Sequence, residues 1–287
     1  MSTEPAHTAF AKDNFSKSGS SGLYDRARPD YPQEAIQAIL SSLPSRSSTK
    51  GANVLELGAG TGLFTRGLLK AAAAQRPGQI AKVTAVEPSE GMRTGFLSKL
   101  DPNGYGGIEV ECVDGLFDKI PAEDASADLV VIAQAFHWVG HDGRSAVEEI
   151  ARVLKPGGVW ALIWNLEDRD VPWIAQIREK YERFEQDTPQ YRHGYWRSIY
   201  STPEYAQNFT APTESHYKRA LTTNEDLVVD RVFSKSYITA LSETEREQLG
   251  AQINETVRRG EGKTWIDEKE GTFEYDYKTD LVLAQRK

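Results

Sequence analysis

The sequence predicts an α/β fold, in which a doubly wound and mostly parallel sheet of seven strands carries an antiparallel last strand and a helical cap insertion. Two observations lead to this expectation. From Asn53 onward, short apolar runs alternate with helical patterns, and such runs are typical of parallel strands buried on both faces. After Trp164 this alternation gives way to a long aromatic and basic stretch, and it returns only near residue 215.

Five strands are expected in the first half of the chain, at 53–57, 82–87, 108–112, 128–135 and 159–164. Helical patterns follow the first, second and fourth of these runs, at about 63–74, 90–100 and 143–154. Pro156 and Gly157, in the sequence KPGG, predict the end of the third helix, because both residue types interrupt helical backbone. Strands separated by helices therefore account for the chain as far as Trp164.

The second half is expected to complete the sheet and to cover it. Two further strands are predicted at 215–221 and 272–287, with two helical stretches between them. The aromatic stretch before them predicts a cap over the C-terminal edge of the sheet. The chain is thus expected to divide into a mobile leader at 1–22, an N-terminal lid and helix at 23–50, a core at 51–164, the cap at 165–214 and a C-terminal completion of the sheet at 215–287.

Composition excludes several classes of partner. The formal net charge of −8 argues against a general nucleic-acid binder, and no apolar run approaches the ~20 residues of a membrane helix. The leader lacks the apolar segment of a secretory signal, so we expect a cytoplasmic protein with no membrane partner. Cys112 is the single cysteine and cannot form an internal disulfide or build a metal site by itself. We expect no metal, a small-molecule substrate, and either a monomer or a homodimer.

A glycine-rich turn, ELGAGTG, follows the first strand. Gly58, Gly60 and Gly62 let the backbone approach a ligand closely, and the helix that follows offers free N–H groups. Glu87 ends the next strand, where a carboxylate could accept hydrogen bonds from both hydroxyls of a ribose. A strand, a turn, a helix and a second strand ending in an acidic residue together predict a nucleoside-binding site.

The spacing of the glycines argues against a dinucleotide. A dinucleotide-binding turn needs a third glycine at position 63, which is Leu63. Glu56 stands two residues before the first glycine, where its charge would repel a pyrophosphate but could hold an ammonium through water or backbone. The turn therefore favours a zwitterionic ligand without phosphate, and it disfavours a nicotinamide oxidoreductase.

Several motifs in order resemble those of the class I S-adenosylmethionine-dependent methyltransferases. They are VLELGAGTG, AVEPSEGM, VDG, ADLVVIAQAFHW and LKPGG, and together they cover about residues 53–164. More narrowly, the sequence SKSYITAL and the R-P-x-Y-P run near the start resemble a fungal small-molecule group that includes the trans-aconitate and cantharidin-resistance methyltransferases. The resemblance implies a Rossmann-like methyltransferase fold and S-adenosylmethionine as the cofactor, with S-adenosylhomocysteine as its product.

The same resemblance implies a set of cofactor-binding residues. Around the methionine moiety and the ribose it places Glu56, Gly58, Ala59, Gly60, Thr61 and Glu87. Around the adenine it places Pro88, Met92, Asp114 and Gly115, with Gln134 near the sulfonium. Each of these residues could instead serve only the local turn or cap, and Met92 could simply belong to the core.

Methyl transfer from a sulfonium depends mainly on positioning the acceptor in a dry pocket, because the methyl group is already activated. A general base is needed only when the acceptor arrives protonated. His137, just beyond the fourth strand, is the candidate base, although it could merely shape the floor of the pocket. A carboxylate acceptor would need no base. The candidate substrate-contacting residues are aromatic, as is common in small-ligand pockets: Tyr31, Trp138, Trp164, Tyr195 and Trp196.

The run LYDRARPDYP, at 23–32, is predicted to form a lid. It precedes the sheet, and its two prolines restrict the backbone. Either Arg28 or Tyr24 is expected to meet the carboxylate of the cofactor, and Tyr31 adds a second aromatic face. The alternative is that Arg28 only ties the segment to the domain surface.

The sequence therefore predicts an enzyme that methylates a small metabolite. The preferred hypothesis is O-methylation, with a carboxylate as one candidate acceptor. N- or S-methylation remains open. So does a regulatory protein that binds the cofactor with little turnover.

Overall fold

A computed structural model describes residues 25–44 and 51–287. The predicted leader at 1–22 and the proposed cofactor contact of Tyr24 lie outside the described residues. No helix in the described ranges is long and apolar enough to cross a membrane.

The strands and helices alternate through the first half of the chain, as the sequence predicts. The strands are β1 (Ala52–Leu57), β2 (Ile80–Val86), β3 (Glu109–Val113), β4 (Ala127–Ala133), β5 (Leu154–Glu167), β6 (Thr213–Thr223), β7 (Trp265–Asp267) and β8 (Thr272–Gln285). The helices are α1 (Gln33–Ser42), α2 (Leu63–Gln75), α3 (Glu90–Ser98), α4 (Arg144–Val153), α5 (Pro172–Glu182), α6 (Pro203–Asn208), α7 (Glu225–Phe233) and α8 (Glu243–Arg259). Short 3-10 turns occur at Phe136–Val139, Tyr191–His193 and Tyr195–Ser201.

The strands form one sheet in the order β3-β2-β1-β4-β5-β8-β6, and β7 pairs with β8. The first five strands are parallel, whereas the C-terminal strands are antiparallel. The predicted doubly wound α/β fold is confirmed. The chain builds outward from β1 in one direction and from β4 in the other, and ligands of such sheets bind at the carboxyl ends of the strands at this switch point.

Two details of the sheet differ from the prediction. The fifth strand was expected at 159–164, but β5 already begins at Leu154 and passes through KPGG. The cause is pairing with the end of the chain: Gly157 N–H donates to the Arg286 carbonyl at 2.9 Å, and Arg286 N–H donates to the Gly158 carbonyl at 2.9 Å. The second difference is β7, an eighth strand of three residues that is too short to leave a sequence pattern.

The chain divides into two compact units. Within the described residues, unit 1 contains 25–29, Asn165–Thr188 and Tyr217–Thr279; unit 2 contains 30–44, 51–164, Pro189–His216 and Asp280–Lys287. The aromatic stretch predicted as one cap at 165–214 is therefore divided between them at Thr188.

Each unit has its own hydrophobic core. In unit 2, the central strand β4 is buried along its whole length and packs with α4. In unit 1, α8 begins at a capping box in which Ser242 and Glu245 hydrogen-bond each other's backbone, and it buries Leu249, Ile253 and Val257 along one face. These residues share a core with the fully buried Trp173 of α5.

Candidate cofactor and active site

The glycine-rich turn after β1 is built by positive backbone φ angles. Gly58, Gly60 and Gly62 have φ of 69°, 56° and 79°, a region that residues with a Cβ rarely adopt. The Gly58 N–H donates to the Val86 carbonyl at 2.7 Å, which ties the turn to the end of β2. The turn therefore lies at the carboxyl ends of two neighbouring strands.

The three glycines serve different purposes. A Cβ on Gly58 would come within 2.8 Å of Ala135 Cβ, and one on Gly62 within 2.6 Å of the Phe96 ring. Both glycines are thus required by packing. A Cβ on Gly60 would meet no atom of the described chain within 4 Å, so Gly60 is the position at which the turn leaves room for a ligand. Ala59 and Thr61, on either side of it, are buried.

Glu87 closes the turn from the end of β2. One carboxylate oxygen, Oε2, accepts the Gly60 N–H at 2.9 Å, and the other, Oε1, accepts the Ser89 N–H at 2.9 Å. Burial raises the pKa of Glu87, and the two backbone hydrogen bonds oppose that rise. Each oxygen retains a lone pair for a further donor. A pair of adjacent hydroxyls would match this arrangement.

Glu56 lies beneath the turn and is almost completely buried. Its Oε2 accepts a hydrogen bond from Thr65 Oγ1 at 2.5 Å. Burial raises the pKa of Glu56 to about 8, with a small further rise from the charge of Glu87. The side chain is therefore mostly protonated at neutral pH, and a nearby cation would favour its ionised form.

The ends of β2 and β3 are joined by Arg93, which the sequence analysis did not single out. Its Nη1 donates to the Glu87 carbonyl at 2.7 Å and to Asp114 Oδ1 at 3.2 Å. The Asp114 carboxylate is largely exposed, while Gly115 is held by packing, since a Cβ there would lie 2.7 Å from both Pro121 and Val86. Met92 is buried and Pro88 half-buried beside this pair.

Gln134 follows β4 with a φ of 61°. Its N–H donates to the Ile163 carbonyl at 2.8 Å, which fixes the backbone in this unusual conformation. Non-glycine residues in this region are uncommon and cluster at functional sites. Ala135, the residue that limits Gly58, comes next, so Gln134 stands beside the glycine-rich turn.

His137 lies in the 3-10 turn after β4, nearly buried. Its Nδ1 accepts a hydrogen bond from Trp164 Nε1 at 3.4 Å. A neutral imidazole that accepts at Nδ1 carries its proton on Nε2, so in this arrangement Nε2 is a donor. The ring of Trp138 lies 5.4 Å from that of His137 and is only partly buried.

Trp164 also belongs to an aromatic cluster in unit 2. Its ring centroid is 4.6 Å from those of both Tyr191 and Trp196, and all of Trp164 and Trp196 is buried. Tyr191, which was not predicted as a site residue, is fixed by a 2.6 Å hydrogen bond from its hydroxyl to Asp280. Through the hydrogen bond from Trp164, this aromatic cluster supports His137.

The other two predicted substrate contacts lie in different surroundings. Tyr31 packs edge to face on Phe64, with centroids 5.1 Å apart, and is buried at the start of α2. Tyr195 is 40% exposed and lies 3.9 Å from the His141 ring. Among the five aromatic candidates, the structure places Trp138 and Trp164 beside His137 and packs Trp196 against Trp164.

Arg28 lies in unit 1, where its side chain is engaged. Its Nε donates to Ser234 Oγ at 3.1 Å and its Nη2 donates to the Ser234 carbonyl at 3.0 Å. Arg26, which lies two residues before Arg28 in the chain, forms a salt bridge with Asp230 at 3.2 Å. The role of Arg28 toward the cofactor stays a prediction.

Comparison with known proteins assigns this chain to a family. A protein-family model described as a methyltransferase domain matches residues 55–162. An uncharacterised methyltransferase-like protein of Schizosaccharomyces pombe is 33% identical over 235 residues, which are 82% of this chain and 83% of the yeast protein. A second S. pombe protein, an uncharacterised methyltransferase, is 32% identical over 238 residues, or 82% and 84% of the two chains. The chain belongs to the class I S-adenosylmethionine-dependent methyltransferases.

The fold of this methyltransferase is also found in solved structures. A proposed type II methyltransferase from Anaeromyxobacter dehalogenans superposes with a TM-score of 0.60 at 20% identity, covering 89% of this chain and 97% of that protein. The class I fold implies the use of S-adenosylmethionine. The methyltransferase site fits that cofactor: Gly60 opens on free space, Glu87 offers acceptors for a ribose, and Glu56 can meet an ammonium.

Proposed function

We propose that this methyltransferase transfers a methyl group from S-adenosylmethionine to an oxygen of a small metabolite, and that the accepting group is a carboxylate. The observation that carries the choice of acceptor is the hydrogen bond from Trp164 to His137. This hydrogen bond occupies His137 Nδ1, the nitrogen that would otherwise be able to accept a proton from the substrate.

The cofactor is proposed to bind along the carboxyl ends of β1, β2 and β3. Glu87 would accept from the ribose hydroxyls while keeping its bonds to the Gly60 and Ser89 N–H groups. Glu56 would face the ammonium, and Asp114 the adenine edge. Gln134 would lie near the sulfonium, which supplies a methyl group that is already activated when the cofactor is bound.

His137 is proposed to position the acceptor rather than to deprotonate it. With Nδ1 accepting from Trp164, the neutral ring presents an N–H at Nε2, and such a group donates to an acceptor oxygen. An alcohol or an ammonium would need to lose a proton before or during attack. A carboxylate arrives ionised at neutral pH, so a donor that orients one oxygen is sufficient.

The narrower resemblance to the fungal trans-aconitate group supports the same acceptor class. So does the chemistry of positioning: the buried Trp164 and Trp196 offer an apolar wall that excludes water near the reacting oxygen. Held at near-attack distance in a dry site, a carboxylate oxygen can attack the methyl carbon, with S-adenosylhomocysteine as the leaving group, without acid or base catalysis.

The test is turnover of methyl-labelled S-adenosylmethionine with a metabolite extract, followed by alkaline hydrolysis of the products. A methyl ester releases labelled methanol in alkali, whereas N-methyl, S-methyl and ether products keep the label. The proposal predicts alkali-labile label. Alkali-stable label would replace it with N-, S- or hydroxyl methylation, and the absence of any product despite cofactor binding would favour a regulatory role.

A further inference from the structure

Unit 1 buries two cations against one carboxylate oxygen. Arg231 Nη2 and Lys235 Nζ both contact Glu167 Oε1, at 2.9 Å and 3.0 Å. Arg231 is 3% exposed, Lys235 8% and Glu167 4%. A single negative charge therefore faces two positive ones at a site nearly closed to water, where an uncompensated charge is costly.

Other charged groups are buried nearby, among them Glu185, which accepts a hydrogen bond from the Tyr237 hydroxyl at 3.2 Å. A third cation, Arg178, donates to the Glu167 carbonyl at 2.6 Å and pairs with Glu182, so it uses a different carboxylate. Burial and the charge of Arg231 lower the pKa of Lys235 to about 7. Burial is the largest cause of this lowering, the charge of Arg28 adds to it, and Glu167 opposes it.

The hydrogen-bonding groups left over can all donate. Within residues 25–44 and 51–287, the Nε and Nη1 atoms of Arg231 find no hydrogen-bond partner although they are buried, and the same holds for the hydroxyls of Tyr181 and Tyr275. Guanidinium nitrogens can only donate, and the charge of Arg231 acts on both tyrosines. Lys235 Nζ stands 4.3 Å from the centre of the Tyr181 ring. The cluster thus contains buried donor atoms, two of them on Arg231, whose hydrogen bonds a negatively charged acceptor would satisfy.

We propose that Arg231, Lys235 and the hydroxyls of Tyr181 and Tyr275 form a binding site for a small carboxylate. The carboxylate oxygens would accept the remaining Arg231 N–H groups and one or both phenol hydroxyls, and the charge would balance the second cation. Guanidinium–carboxylate hydrogen bonds are among the strongest in proteins. This site goes beyond the proposed methyl transfer, since it lies in unit 1 and does not require the cofactor.

Arg28 borders the same cluster. Its charge contributes to lowering the pKa of Lys235, and its guanidinium is held by Ser234, the neighbour of Lys235 in the chain. Together with Arg26, which reaches Asp230, it holds the start of the described chain over α7 and the residues after it.

The test is calorimetric titration with succinate at constant ionic strength, with succinamide as the uncharged control. The site predicts that succinate binds and succinamide does not. Arg231→Gln and Lys235→Met should each weaken succinate binding by about ten- to hundredfold. The matched control is Arg258→Gln, which removes an exposed cation of the same unit and should leave succinate binding unchanged.

Folding and cofactor binding are checked separately. The double variant Arg231→Met with Glu167→Gln removes a cation and an anion together, so the net charge of the core is unchanged, and it should fold and bind S-adenosylhomocysteine but not succinate. Equal succinate affinity in the wild type and the cluster variants would overturn the inference, as would a wild type that binds S-adenosylhomocysteine but not succinate. Failure to bind S-adenosylhomocysteine would instead count against the proposed function.

Discussion

Glu56 makes the stability of this protein depend on pH in a direction opposite to that of most carboxylates. Its pKa is about 8 in the folded chain, against an ordinary value of 4.5. Between these two values the folded state holds a proton that the unfolded state has lost, so the free energy of unfolding falls as pH rises. The full effect over that interval is about 5 kcal/mol, at about 1.4 kcal/mol per pKa unit.

The perturbation is Glu56→Gln, which keeps the shape of the side chain, removes the titration and leaves an oxygen to accept from Thr65. Between pH 5 and pH 7, titration of Glu56 should cost the wild type about 2–3 kcal/mol of unfolding free energy that the variant does not lose. Urea unfolding of both proteins at the two pH values measures this difference, in which the contributions of other groups cancel. A gap between variant and wild type that is the same at pH 5 and pH 7 would refute the burial argument for Glu56.

Three further predictions concern neighbouring residues. Gly62→Ala should lower the free energy of unfolding by more than Gly60→Ala, by about 1 kcal/mol or more, because only Gly62 faces a ring at 2.6 Å; thermal melts would show equal losses if this packing argument were wrong. Arg28→Ala should weaken S-adenosylhomocysteine binding in calorimetry, and unchanged binding would mean that Arg28 only ties its segment to the domain surface. Trp164→Phe keeps an aromatic ring but removes the donor to His137, so single-turnover methyl transfer should slow by about ten- to hundredfold at unchanged S-adenosylhomocysteine affinity, and an unchanged rate would remove His137 from the mechanism.

Local patterns were sufficient to predict the parallel half of the sheet. Every residue of β4 is buried, which is why its part LVVIA is a continuous apolar run. The glycine-rich turn could be predicted because its conformation depends on residues adjacent in sequence. The position of Glu87 followed from it, since the carboxyl ends of neighbouring parallel strands meet at one edge.

Features that depend on distant residues could not be predicted. The early start of β5 needs Arg286, which is far away in sequence, and the bridge from Arg93 to Asp114 needs the packing of α3 beside β3. The hydrogen bond from Trp164 to His137 joins β5 to the 3-10 turn after β4. Arg231 lies in a helical pattern of the sequence, where a charged residue is expected to be exposed to solvent. Only the structure shows that it is buried against Glu167.

The most direct test of the cofactor site is calorimetry with S-adenosylhomocysteine on the wild type, on Glu87→Gln and on the control Glu90→Gln, which alters an exposed carboxylate at the start of α3. If Glu87 accepts hydrogen bonds from the ribose, Glu87→Gln should weaken S-adenosylhomocysteine binding by about ten- to hundredfold. Glu90→Gln should bind S-adenosylhomocysteine as tightly as the wild type, and titration with NAD should give no heat. Equal affinity in the wild type and Glu87→Gln, with both proteins folded by circular dichroism, would contradict the account.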